Sequence, residues 1–394
     1  MIKLLARLVI TALALSATGP VAAQAQAPVI VVNLLELSGA GATAGTNFNN
    51  GVLLAFKEIN AAGGILGQRI QVVTFDTQSN ADLAKALAQR AAALQPYAFM
   101  GPVFSGMTLA SMDEMQKAQI PAFTGGEAAE ITMKGNRFIF RTSLTQSTGM
   151  PRVVKYMKDI VKSKSVALVW INNPFGKGGH DEFLKAAGPQ GLSVVADLPL
   201  ETGQKDCIGI ARKVIESKAD TAFVYLTEDE TPPCLKELKN QNFTGWVVGE
   251  TTVVGQQVIE RAGEASDGVQ AHVGLTPHAL IPPVRVYDNK FIKEYGYRSD
   301  HNGMKGYIAA YILKAATEKI GKFDSKALAA AMSGLSLSAQ QYPGVLLDVK
   351  YDDKGDIDRT SFIVRVKGGR HEFLATLPAG GAPMTPAPAE TTKK

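Results

Sequence analysis

Apolar residues along this chain follow two alternating rhythms. Short continuous runs, such as "PVIVVNLLEL" (28–37) and "SVALVWIN" (165–172), read as strands buried on both faces. Between them lie stretches with one apolar face at helical spacing. In 49–60 that face is Val52, Ala55, Phe56 and Ile59. The next strand is "RIQVVTFD" (69–76), and the helix after it, "NADLAKALAQRAAAL" (80–94), carries Asn80 as its cap. "YAFMGP", a helix from Ser105, and "IPAFTG" continue the series. Repeated strand–helix–strand units predict a parallel sheet with right-handed crossovers.

The rhythm restarts after residue 160. Strands are predicted at 165–172, 193–200, 221–227 and 245–250, with helices at 178–188 and 207–219 and another opened by Pro232-Pro233. Residues 283–334 read as mainly helical. Two hairpins follow, "VLLDVKYDDKGDI" turning at Lys354-Gly355 and "TSFIVRVKGGRHEFLATL" turning at Gly368-Gly369. The tail 378–394 is rich in Pro, Ala and Thr and is expected to be disordered. The fold class is therefore α/β, with two Rossmann-like lobes. Open α/β sheets bind ligands beyond the carboxyl ends of their strands, so two facing lobes predict a ligand in a cleft between them.

At 394 residues the chain is too long for one ordinary core, which agrees with two domains. Its first residues read as a secretory signal: Lys3 and Arg7, an apolar run Leu8–Ala17, and small residues allowing cleavage after Ala23 or Ala25. The run falls short of the ~20 residues of a membrane span. No cysteine stands near the cleavage site to accept a lipid. Removing Lys3 and Arg7 takes the formal charge from +5 to +3. No basic stripe interleaved with aromatics is present, so nucleic acid is not an expected partner. Export makes a disulfide between Cys207 and Cys234 the favoured state, with two buried thiols as the alternative. Neither the cysteines nor the five histidines show metal-ligand spacing, so no metal or cofactor is expected.

"EINAAGGILGQRIQVVTFD" (58–76) carries the most specific signal. Gly63 and Gly64 follow the last helical turn, where a positive φ releases the chain. Gly67 lets Ile65-Leu66 hook back before the strand. The block closely resembles the type I periplasmic solute-binding proteins of the branched-chain amino-acid transport family. So do the loop "LSGAGATAG" (Leu37–Gly45), the strand-ending Asp76 and the helix start Asn80–Ala84. The likeness extends over about 28–370. It implies two lobes joined by three crossover strands, placed near Arg141-Thr142, His272–Leu275 and Tyr342–Leu346. The lobes would comprise 28–142 with 275–343 and 143–274 with 344–377, behind a signal peptide over 1–25. It also implies a periplasmic, non-enzymatic component of an ABC importer. Such a component closes on an amino acid or a related small molecule and passes it to a membrane permease–ATPase complex.

The resemblance also implies roles for residues. Ser105 would hold an α-carboxylate at a helix start, its alternative being a plain cap. Gly126 and Glu127 stand in a loop where leucine-binding members read Ser-Ala-Thr, so Glu127 replaces a threonine. A carboxylate there repels another unless a cation intervenes. Either Glu127 points away, or the ligand carries a positive or donor-rich group. Phe175 replaces a tyrosine that meets the ligand's ammonium, and a phenyl face retains cation–π attraction. Glu250 would pair with the α-amino group, and "VYLTEDET" (224–231), with Thr227 and Glu228, would face the cleft. Ala44 leaves more side-chain room than the aromatic some leucine-binding members carry. These departures keep open an amide, or an aliphatic or aromatic carboxylate without the amine. A sensor module for a membrane signalling partner is a third reading. A dinucleotide enzyme is the most remote one: "GAGATA" (Gly39–Ala44) fits the glycine fingerprint, but Asp76 stands too late to bind the ribose.

Overall fold

The computed structural model describes residues 27–386. The expected signal peptide and residues 387–394 lie outside that range. The first unit runs β1 (Val29–Leu35), α1 (Ala42–Ala61), β2 (Ile70–Asp76), α2 (Ala81–Ala92), β3 (Ala98–Met100), α3 (Ser105–Ala118), β4 (Ala122–Thr124), α4 (Glu130–Met133) and β5 (Ile139–Arg141). Its five strands pair in parallel in the order β2-β1-β3-β4-β5.

The second unit runs α5 (Gln146–Tyr156), β6 (Ser165–Asn172), α6 (Pro174–Ala187), β7 (Ser193–Glu201), α7 (Ile208–Glu216), β8 (Thr221–Tyr225), α8 (Thr231–Asn240), β9 (Trp246–Glu250), α9 (Gln256–Ala262) and β10 (Gln270–Val273). The chain then returns to the first lobe with α10 (Pro282–Tyr295), α11 (His301–Ile320) and α12 (Ser325–Met332). It ends with β11 (Ser336–Leu337), β12 (Val349–Tyr351), β13 (Ile357–Asp358), β14 (Ser361–Lys367), β15 (Arg370–Leu377) and β16 (Thr385–Pro386). The second sheet has the order β16-β15-β14-β10-β9-β8-β6-β7. Strands β6 to β10 are parallel, and β14–β16 extend the sheet as an antiparallel edge.

Local chemistry accounts for the pieces. The Asn80 side chain accepts the Leu83 N–H and starts α2. Gly64 has φ +83°, and a Cβ there would stand 2.0 Å from the Gln68 carbonyl oxygen, so the hook after α1 needs glycine. The hook buries Ile65, while Leu66 stays exposed. Helices α1 and α11 pack almost backbone to backbone, since a Cβ at Gly51 would sit 1.9 Å from the Gly303 carbonyl oxygen. That contact holds the N-terminal turn of α11 against the first lobe and so aims it at the cleft. Cys207 and Cys234 are bonded, with Cα atoms 5.0 Å apart, tying α7 to α8.

Both expected hairpins form, as β12–β13 and β14–β15. The first belongs to the other lobe, however. Strands β12 and β13 pair with β11 in a small three-stranded sheet, and the Tyr351 hydroxyl donates to the Arg141 carbonyl at 2.6 Å. The chain therefore passes into the large sheet between Asp358 and Ser361, not at Tyr342–Leu346. Pro343–Val345 forms one helical turn, with Gly344 flat against the Tyr311 ring. Residues 344–358 thus pack with the first lobe: the Lys354-Gly355 turn signal was real, but a turn does not say which sheet its hairpin joins. The tail differs too. Within 378–386, Thr385–Pro386 pairs with β15 as an edge strand instead of being disordered.

Candidate functional site

The carboxyl ends of the strands of both lobes face each other, and the N-terminal turn of α11 enters between them. Two adjoining hollows occupy this cleft. The first is lined by Ala44, Val103, Ser105, Gly125 and Lys305 of one lobe and by Phe175, Thr227, Glu228 and Thr252 of the other. The second reaches toward the crossovers and is lined by Tyr225, Glu250, His272, Gly274 and Arg359, among others. Glu127, His301 and Lys305 line both and form the partition.

The partition settles the electrostatic problem of Glu127. Lys305, one turn into α11 and almost fully buried, places Nζ 2.8 Å from Glu127 Oε1 and 3.4 Å from the Gly125 carbonyl oxygen. The cation that a carboxylate ligand would require beside Glu127 is supplied by the chain itself. Lys305 lies 178 positions away in sequence.

Ser105 begins α3 and is buried, and its Oγ accepts the N–H groups of Glu127 (3.2 Å) and Ala128 (3.1 Å). The amides just ahead of it are also engaged. Buried Glu36 accepts the N–H of Val103 and of Phe104, each at 3.1 Å. Burial pushes its carboxyl up to about 7, opposed by those amides. Asp76 accepts the N–H groups of Leu37, Ser38 and Gln78 and so pins the first loop. The glycines of that loop make room for Glu36: a Cβ at Gly45 would stand 2.0 Å from its carbonyl oxygen.

The second lobe contributes aromatic and acidic groups. Phe175 stacks on Tyr225 at 4.4 Å. Thr227 donates to Glu230. Glu250 ends β9, is buried, and lies against His272 Nδ1 at 3.0 Å. Arg152 donates to the Ser361 hydroxyl, whose oxygen lies 2.8 Å from His272 Nε2. An ionised Glu250 can only accept, which places a proton on the facing Nδ1. Burial holds the Glu250 carboxyl above its ordinary value, opposed by His272.

The lobes also touch directly. Asn302 Nδ2 of α11 donates to Glu228 Oε1 of the opposite lobe at 2.9 Å. Burial, with Asp300 beside it, raises Glu228 to about 7, and burial raises Asp300 to about 6. Glu228, Asp300 and His301 offer ligand atoms within 4.8 Å of one another. Asp300 is committed to capping α11 through the Asn302 and Gly303 amides, and Glu228 to Asn302.

Of the residues singled out from sequence, Ser105, Glu127, Phe175 and Thr227 come together in the first hollow, and Glu127 and Glu250 in the second. Gly126 lines neither. It lies behind the wall, its carbonyl accepting from Arg141 at 2.6 Å, while Gly125 faces the cleft. Sequence reasoning missed Lys305 and Arg359, and placed the stretch 224–231 at the cleft without singling out Tyr225. It noticed "DHNGMKGY" (300–307) as unusual polar sequence and counted His301 and His272 among lone histidines. The cap Asp300 followed by His301, Asn302 and Gly303 at the opening of a long helix was the available signal for α11.

A family profile described as periplasmic binding protein matches residues 28–370. The chain belongs to this family. Its fold is that of the type I periplasmic binding proteins. These are solute-binding proteins, not enzymes, which removes the dinucleotide reading of Gly39–Ala44. An amino acid binding protein of Pseudomonas aeruginosa is 26% identical over 368 residues, covering 92% of this chain and 96% of that one. A leucine binding protein from Thermotoga maritima superposes with TM-score 0.80 at 20% identity, covering 88% of this chain and 98% of that one. An ABC-transporter solute-binding protein from Rhodopseudomonas palustris, solved with benzoate, gives TM-score 0.81 at 20% identity, covering 93% and 100%. At that identity the two solved structures speak to the fold. Among the described residues no helix is long and apolar enough to cross a membrane.

Proposed function

We propose that this periplasmic binding protein is the exported capture subunit of an ABC importer for a small carboxylic acid of the amino-acid class. The lobes would close on the ligand and present it to a membrane permease–ATPase complex. The carrying observation is the partition: a buried lysine, Lys305, is held against Glu127 where both hollows meet. A buried cation with donors to spare suits an anionic ligand. Glu127, Glu228 and Glu250 supply the complementary charge for an ammonium. Ser105, Phe175 and Thr227 complete the ligand's surroundings. Contacts made by both lobes at once favour the closed state by population shift.

A second reading, an aromatic carboxylate without the amine, is favoured by two features. Phe175 and Tyr225 form a stacked pair at the cleft, and Glu250 already has a partner in His272. A thermal-shift panel decides between them. The mature protein is unfolded and refolded to strip carried-over ligand, then scanned with amino acids, their amides, and aliphatic and aromatic acids. A ligand at a hundred times its Kd adds roughly 2.7 kcal/mol. Stabilisation by an α-amino acid, abolished in Glu250→Ala, supports the first reading. Stabilisation only by acids lacking an amine selects the second.

A further inference from the structure

One charged group in the second hollow has incomplete bonding. Arg359 lies in the last crossover, is 1% exposed, and lines the hollow. Its Nε and Nη1 have no hydrogen-bond partner among the described residues. Its Nη2 passes Gly274, where a Cβ would stand 3.7 Å away. The surrounding carboxylates are engaged elsewhere. Glu127 holds Lys305, Glu250 holds His272, and Asp358 accepts from Arg152 and from the Gly380 amide. Burial lowers Arg359 only to about 10, so it is charged at neutral pH. A buried, unpaired guanidinium is costly, and its planar fork matches a carboxylate in two-point geometry.

The Ser105 end offers only neutral donors by comparison. Its hydroxyl accepts two amides and keeps its single O–H to donate, and Glu36 occupies the two amides before it. We propose that Arg359, not Ser105, is the carboxylate-binding residue of this cleft. The acid group of the ligand sits in the second hollow, and the rest of the molecule extends past Glu127 and Lys305 toward Phe175. Because Arg359 lies in a crossover, the grip on the ligand is placed at the hinge itself.

This inference rests on the reading that the ligand is a small carboxylate, and the test separates the two. Calorimetric Kd values are measured on the stripped mature protein for the acid that stabilises it most (leucine, phenylalanine and benzoate as starting probes) and for its carboxamide. Truncating one side of a buried charge pair is strongly felt, so Arg359→Gln is expected to weaken the acid on the order of 10²-fold and the carboxamide little. Arg359→Lys should fall between, and Ser105→Ala should cost less than roughly tenfold. The ligand-free Arg359→Gln protein should melt no lower than wild type, because no bond is removed. If Ser105→Ala abolishes binding while Arg359→Gln binds normally, the inference is overturned and the carboxylate reading stands. If Arg359→Gln melts lower without ligand and weakens acid and carboxamide equally, Arg359 is a structural residue and the inference is overturned. If wild type binds the carboxamide as tightly as the acid, or only molecules lacking a carboxylate, both fall together.

Discussion

Two fully buried arginines stand at two crossovers, and their surroundings are opposite. Arg141, at the end of β5, engages all three nitrogens of its guanidinium. Nε donates to Asp356 at 2.5 Å, Nη1 to the Gly126 carbonyl at 2.6 Å, and Nη2 to the Ala128 carbonyl at 2.7 Å and Thr132 Oγ1 at 3.0 Å. Arg359 has the same burial, and its Nε and Nη1 have no partner among the described residues. Burial alone therefore says nothing about role. A satisfied buried charge ties backbone segments together, here the β4–α4 loop to the β12–β13 hairpin. An unsatisfied one at a cleft is a place held for another molecule.

The contrast breaks most sharply at Arg141. Arg141→Ala removes the cation beside Asp356 and the donor to the Ala128 carbonyl, and leaves Gly126 with Ser143 and Asp356 with Thr132 as their remaining donors. We expect it to lower unfolding free energy by about 3–5 kcal/mol in urea titrations. A loss below about 1 kcal/mol would mean that the Arg141 network is not structural. On the same structural side, Cys207→Ser opens a loop of 27 residues' separation, and a loss of about 2–4 kcal/mol is expected for the ligand-free protein. Ligand affinity measured well below the melting transition should barely change.

The cleft side should respond in affinity instead. Lys305→Met leaves Glu127 facing an acidic ligand without its cation. We expect a 10- to 100-fold rise in Kd by calorimetry, about 1.4–2.7 kcal/mol, partly restored by adding Glu127→Gln. The smallest effect concerns pH. Glu228 is raised to about 7 and Asp300 to about 6 where the lobes touch, while opening the cleft would hydrate both. Groups raised in the closed state favour closure while protonated, and that advantage is lost as pH rises through their closed-state values. Affinity should therefore decline by about tenfold between pH 5 and 8. Lys305 faces the same acids and moderates the shift, and Glu228→Gln should flatten the profile. An affinity that rises over this range would contradict the assignment.

The structure's own answers to the sequence divide along the same line. Asn80 capping α2, the positive φ at Gly63 and Gly64, the start of α3 at Ser105 and the two hairpins were all legible. Each depends on residues a few positions apart. The loop at Gly125–Glu127 was legible as unusual, but the reason for it was not, because Lys305 reaches it from a helix 178 positions on. The hairpin at 349–358 was legible as a hairpin, yet the large sheet was the wrong host. Its partner strand β11 is only two residues long, and its anchor is the Arg141 carbonyl.

By itself the sequence determined the two α/β units, their turns and caps, and membership in a binding-protein family. Periodicity and capping are local, and they report which face of an element is buried. Only the tertiary structure decided which charges inside the cleft are paired. Pairing depends on how distant segments are brought into register by contacts such as the glycine seam of α1 and α11. It showed Glu127 answered by Lys305, Glu250 by His272, and Arg359 left with two donors open at the hinge.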